Sequence, residues 1–278
     1  MSDRLYLDHA ATTPILPEAA AAVAAGMARW ANPSSPHAEG RAARATLEET
    51  RARVAAAYGW KGEVVFTSGA SESLGIALTR SVADRCLISA VEHDSVIRAA
   101  AEAAVLPVDS SGLVDMGVLD AALAMPGRLL VAVQWANSET GVRQPIAALA
   151  DRIRAAGGLF LVDAAQMPAG ADPDLANCAD FIAISAHKRG GPPGIGALLV
   201  RNLGTLMPSG GQERGYRPGT ENLPGALGFA AALDVAEDVL GMAALRARLD
   251  DAITRSGGDV VAAGPLHHPA IGSYRMRG

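Results

Sequence analysis

The chain alternates short apolar runs with Ala-rich stretches that carry spaced charges. Val64-Val65-Phe66-Thr67 is a β-branched run that ends in Ser68-Gly69. Leu87-Ile88-Ser89, Leu129 to Val133, Leu159 to Val162, Phe181 to Ile184 and Gly196 to Val200 read as further strands. Between them, residues 38–58, 72–82, 94–104 and 145–156 read as helices, and residues 223–250 as a long helical region. Short strands separated by helices predict an α/β fold on a mainly parallel central sheet. Ligands of such sheets gather at the carboxyl ends of the strands. The polar residues of this chain stand at those ends: Ser68 to Ser71, Glu92-His93, Asn137, Asp163 and Ser185 to Lys188.

Composition narrows the class. A chain of 278 residues makes one large domain or two smaller ones. Half of it is hydrophobic but only 4% is aromatic, so Ala, Val, Leu and Ile must fill most of the core. A net charge of −5 argues against a general nucleic-acid binder. Cys86 and Cys178 belong to no CxxC pair and no zinc-ligand spacing, so no metal site is expected. A reducing, cytoplasmic setting follows from that cysteine usage. Met1 to Leu5 begin no signal-like segment, and Gly or charge breaks every apolar run before membrane-spanning length.

Four segments carry candidate chemistry. Lys188 follows a strand and precedes Arg189-Gly190-Gly191-Pro192-Pro193-Gly194, whose glycines let the backbone turn tightly beside a ligand. A lysine buried there can lose its proton and condense with an aldehyde, although a surface lysine on a Gly-rich loop would give the same pattern. Asp163 ends the preceding strand, where a carboxylate can pair with a protonated pyridine nitrogen or cap the next helix. Together the two make the arrangement of a pyridoxal phosphate (PLP) site. Ser68-Gly69-Ala70-Ser71-Glu72 opens a helix, and its N–H groups and the Ser71 hydroxyl can take a phosphate or simply cap the helix. His93 can stack on a ring or serve the structure alone.

Beyond these segments the motifs run in a fixed order. They are Tyr6-Leu7-Asp8-His9-Ala10-Ala11-Thr12-Thr13-Pro14, Asn32-Pro33-Ser34-Ser35 with His37, Phe66 to Glu72, Glu92-His93, Ala136-Asn137-Ser138-Glu139-Thr140-Gly141, Val162 to Gln166, Ser185 to Lys188, Gly210 to Gly215 and Arg217 to Asn222. From Tyr6 to about Gly225 the chain resembles the cysteine desulfurases, class V aminotransferase relatives with PLP fold type I. The resemblance implies a PLP-binding large domain over 1–250, whose first residues pack with a small domain, and an incomplete small domain over 251–278. It implies Lys188 as Schiff-base lysine and proton shuttle, Asp163 as partner of the pyridine nitrogen, and Gln166 and Asn137 near the phenolic oxygen. His93 becomes the stacking imidazole and an acid or base. Ala70, Ser71, Ser185 and His187 form the phosphate cup, and Asn32 orients the substrate carboxylate. Thr220 reaches the phosphate of a second copy in a homodimer. The implied reaction turns L-cysteine into L-alanine through an enzyme persulfide whose sulfur passes to an acceptor protein, in iron–sulfur cluster assembly or another sulfur pathway.

The chain also departs from the pattern. The family's nucleophilic cysteine lies in a Ser/Gly-rich loop beyond the large domain, and neither Cys86 nor Cys178 matches it. His9, Ser138, Ser71 and Pro218 stand where Asn, Asn, Thr and Ser are commoner. The cofactor apparatus is therefore expected complete and the sulfur-transfer apparatus not. Another class V enzyme (an aminotransferase, a selenocysteine lyase or a β-lyase) and a catalytically silent PLP-binding scaffold remain open on the same residues.

Overall fold

Four runs, at 129–134, 159–163, 181–185 and 196–200, are buried at every position, as strands covered on both faces must be. A computed structural model describes residues 5–276. Met1 to Arg4, read above as free of a signal segment, lie outside it, as do the last two residues of the expected small-domain stretch. The strands are β1 (Glu63–Thr67), β2 (Arg85–Ser89), β3 (Ala104–Leu106), β4 (Leu129–Gln134), β5 (Leu159–Asp163), β6 (Phe181–Ser185) and β7 (Gly196–Val200). They form one sheet in the order β1-β7-β6-β5-β4-β2-β3. The helices are α1 (Pro17–Ala28), α2 (Ala38–Ala57), α3 (Ala70–Arg80), α4 (Asp94–Ala99), α5 (Met116–Leu123), α6 (Ile146–Ala155), α7 (Leu175–Cys178), α8 (Leu223–Leu233) and α9 (Val239–Arg255).

Alternate strand residues serve opposite faces, as the period of two requires. Val131, Val133, Phe160, Val162 and Ile182 pack with Leu47 and Val54 of α2, Leu149 of α6 and Phe229 of α8. Leu130, Ala132, Leu161, Phe181 and Leu198 pack with Leu74 and Ala77 of α3 and Val96 of α4. The result is three layers, helix–sheet–helix, with the expected mainly parallel sheet at the centre.

The departures from the sequence reading have local causes. β7 runs antiparallel to both β1 and β6. The link from Ser185 to Gly196 is too short for a crossover, which takes about a dozen residues or more, so the chain must turn back. The helix expected over 94–104 stops at Ala99, and Ala104 to Leu106 pair with Leu87 to Ser89 instead. Ladder pairing there outweighs the helix propensity of alanine. The helical region 223–250 is two helices, because Asp238 caps α9 by accepting the Gly241 N–H at 2.8 Å. The Ala-rich α1, unanticipated in the sequence, starts at Pro17 and packs on α8. Past the boundary expected at 250, which falls inside α9, β8 (Asp259–Val260) and β9 (Tyr274–Arg275) pair with each other outside the main sheet.

One contact joins the sheet to the site. Thr67 pairs with Gly196, and a Cβ on Gly196 would lie 2.5 Å from the Ile184 carbonyl oxygen and 2.6 Å from Gly69 Cα. Gly69 itself has φ 154°, a conformation for glycine, and it begins α3. Gly196→Ala should therefore lower the unfolding free energy by about 1–3 kcal/mol, because backbone rather than a flexible side chain must move. Chemical denaturation measures it, and a loss within error of zero would contradict the close approach.

Candidate active site

The carboxyl ends of β4, β5 and β6 and the start of α3 enclose a cavity of about 540 Å³. Lys188 and Asp163 both line it. Lys188 lies in a single helical turn, Ala186–Arg189, that Gly190 closes with φ 74°. Its Nζ donates to the Ala10 carbonyl, which also accepts from Gln166 Nε2 at 2.9 Å. The N-terminal segment straps this turn: Thr13 N–H donates to the His187 carbonyl at 2.9 Å and Leu16 N–H to the Gly190 carbonyl at 2.8 Å. Burial holds the Lys188 ammonium below the ordinary lysine range, and Asp163 opposes that pull.

Asp163 ends β5 and is 8% exposed. Its Oδ1 accepts the Ala165 N–H at 2.9 Å. Burial pushes its carboxyl up, while that N–H, His93 and Lys188 pull it back. A cationic ring nitrogen against Asp163 would favour the charged form further.

Around this pair the cavity is lined by Ala70, Ser71, His93, Gln166, Ser185 and His187, all expected from the sequence. His93 caps α4, with its Nδ1 accepting the Ser95 N–H at 3.1 Å. His187 lies with Nδ1 3.2 Å from the Thr12 hydroxyl, and burial, then Lys188, lower its pKa. The opening of α3 supplies free N–H groups and the positive end of a helix dipole.

Three expected residues stand apart from this lining. The Asn137 carboxamide closes its own turn: Oδ1 accepts the Glu139 N–H at 3.0 Å and the Thr140 N–H at 2.9 Å, and Nδ2 donates to the Val91 carbonyl. Asn32 Oδ1 accepts the Ser34 N–H at 2.9 Å. Thr220 is exposed, on a loop that Arg217 ties to Glu72 of α3 at 2.9 Å. Sequence reasoning in turn assigned no role to Gln134, at the end of β4, or to the Ala10 carbonyl. Gln134 closes an apolar run as Asp163 does, which is the signal that could have found it. Among the described residues, neither Cys86 nor Cys178 lines the cavity. Burial pushes the Cys86 thiol up to about 11 and also raises Cys178. No group of three or more His, Cys, Asp and Glu among the described residues could hold a metal, and no described helix is long and apolar enough to cross a membrane.

Residues 5–256 match the family described as aminotransferase class-V. A cysteine desulfurase of Bradyrhizobium diazoefficiens is 34% identical over 92% of this chain and 71% of its own length. The chain belongs to the cysteine desulfurase family. An IscS-like cysteine desulfurase of Mycobacterium tuberculosis is 38% identical over 88% of this chain and 68% of the relative. Among solved structures, a NifS-like protein from Rickettsia africae superposes with TM-score 0.87 at 31% identity, covering 95% of this chain and 79% of that one. The desulfurase family is PLP-dependent, and the cavity fits that cofactor. A lysine with a depressed pKa shares one cavity lining with a buried carboxyl and with Ala165. In the same lining, hydroxyls, an imidazole and a helix N-terminus offer donors for a dianionic phosphate.

Proposed function

We propose that this cavity holds PLP on Lys188 and removes sulfur from L-cysteine. The observation that carries the reading is the placement of Lys188 and Asp163 in one cavity at the strand ends. When bound, PLP supplies an electron sink that lets bonds at the substrate Cα and Cβ break. The chain's own residues do the rest. Lys188 Nζ, its basicity lowered by burial, takes and returns a proton at the substrate Cα. Asp163 holds the ring nitrogen protonated. His93 covers the ring and can shuttle a proton. Ser71, Ser185, His187 and the Ala70 N–H bind the phosphate, and Gln166 faces the phenolic oxygen. Asn137 acts by shaping its turn, since its carboxamide is already engaged.

The active molecule in this reading is a cytoplasmic homodimer in which Thr220 completes the phosphate cup of the other copy. The exposure of Thr220 supports that placement. Residues from 251 onward begin a second, smaller domain, a view supported by the separate β8–β9 pair. The balanced reaction is L-cysteine plus a thiol giving L-alanine plus a persulfide. The attacking thiolate takes the substrate sulfur as the Cβ–S bond breaks, and Cβ gains a proton. Cys86 and Cys178, with raised thiol pKa values and no place in the cavity, are not that thiolate. The sulfur goes to a thiol other than these two.

PLP-loaded protein supplied with L-cysteine and an added dithiol should yield L-alanine and sulfide in equal amounts. Replacing both Cys86 and Cys178 with Ser should leave the rate within about twofold. Pyruvate with ammonia, or a keto acid, would move the protein to a β-lyase or an aminotransferase. A rate that collapses in the Cys178→Ser protein would refute the acceptor assignment.

A further inference from the structure

Glu92 immediately precedes His93 and is 7% exposed. Its Oε1 accepts the Gln134 N–H at 2.8 Å. Gln134 is the last residue of β4 and stands in register with Asp163, whose carbonyl takes the Trp135 N–H at 2.8 Å. The neighbouring Val91 carbonyl accepts Gln134 Nε2 at 2.7 Å and Asn137 Nδ2 at 3.2 Å. Val91 and Glu92 thus fasten the turn after β2 to the end of β4. That turn carries His93, and the strand next to β4 carries Asp163, both in the cavity lining.

The second oxygen of Glu92 is different. Oε2 is buried with no hydrogen-bond partner among the described residues. An ionised carboxylate with a bare buried oxygen is far more costly than its neutral acid. A second buried carboxyl, that of Asp163, acts on it from β5, while Lys188 and His93 act on Asp163. Burial first, and then the Asp163 charge, push Glu92 up to about 8, and the Gln134 N–H and nearby Ser89 hydroxyl only partly offset this.

We infer that Glu92 is a positioning residue: a buried neutral acid that joins the His93 turn to the Asp163 strand and leaves Asp163 as the charged carboxyl of the pair. The inference deepens the PLP reading and rests on it. Neutrality is part of the role, because a second anion beside Asp163 would raise its pKa further and weaken its grip on a ring nitrogen.

Two measurements test this together. A carboxyl whose folded pKa exceeds its unfolded value, about 4.3, stabilises the fold fully below that value. The contribution is lost as pH rises through the folded value, about 8 here. In cofactor-free protein, the Tm of wild type should therefore fall relative to Glu92→Gln between about pH 4 and 8. Parallel Tm curves would overturn the neutral-acid assignment. In the second measurement, PLP is titrated at neutral pH. Glu92→Gln keeps the acceptor for the Gln134 N–H and should bind PLP within about threefold of wild type, while Glu92→Ala should bind about tenfold or more weakly. A Gln variant as impaired as the Ala variant would overturn the positioning role. Where Glu92→Ala does not fold, the comparison of wild type with Glu92→Gln decides alone. If wild type itself fails to bind PLP, the cofactor reading and the positioning role fall together, while the Tm curves still judge the neutral acid.

Discussion

Lys188→Ala is expected to give a folded protein that no longer holds PLP covalently and has lost its colour. Turnover of L-cysteine should drop by at least about 10²–10⁴-fold, the usual worth of a positioned acid–base group, with loss of covalent capture adding to it. The fold should survive for a specific reason. The Ala10 carbonyl, which accepts from Lys188 Nζ, keeps its second donor, Gln166 Nε2 at 2.9 Å. The backbone bonds of Thr13 and Leu16 to the same turn do not involve the lysine side chain. Visible absorbance, the mass of the protein after hydride reduction and the rate of alanine formation measure the effect. Covalent cofactor in the variant, at wild-type occupancy, would remove the basis of the assignment.

Glu213→Leu should cost about 3–5 kcal/mol of unfolding free energy, the largest stability loss expected here. Glu213 and Arg51 are buried, with side chains 1% and 5% exposed, and Oε2 of Glu213 accepts from Arg51 Nη1 at 2.7 Å. The same oxygen accepts the Phe66 N–H of β1 at 2.9 Å. Losing the acid leaves a buried guanidinium whose remaining partners are the neutral Val64 carbonyl and the more exposed Glu48 at its Nε. Arg51→Met should cost a similar amount by stranding the carboxylate. The double variant should recover much of the loss, since apolar groups of like size can replace a buried pair. Denaturant unfolding of the three variants decides it, and single-variant losses under about 1 kcal/mol would mean the pair is better hydrated than its burial implies. The effect reaches the site. Glu213 and Arg214 have φ 49° and 57°, and the pair holds this strained turn against β1, just before the loop of Thr220.

The residues legible in the sequence were those that break a local pattern. Asp163 closes an apolar run with a charge and Lys188 stands in the turn just after another, so their place beyond strand ends follows from periodicity. Ser68 to Glu72 announces a strand–turn–helix junction through its glycine. Glu92 was legible as a polar residue after a strand, but its burial and its bare oxygen need the positions of Gln134 and Asp163. The direction of β7 depends on the length of the link before it, and the end of α4 depends on a partner strand. Asn137 was legible as a polar residue at a strand end, but the turn it closes needs the positions of Glu139 and Thr140. The small-domain stretch showed its strand character near Ser273 to Arg275, where β9 lies, and left its pairing partner unstated.

The strand order also dictates a timetable for biosynthesis. β1 sits at the rim of the sheet with β7 as its neighbour, and Glu63 to Thr67 find their partners in Gly196 to Val200. At ordinary ribosomal speed, β1 therefore leaves the exit tunnel on the order of ten seconds before the segment that seals it. A nascent Val64-Val65-Phe66 edge stays open to foreign strands throughout that interval. Yield in a cell should then respond to holdase chaperones acting on the first third of the chain, and to the pace of translation between the two segments.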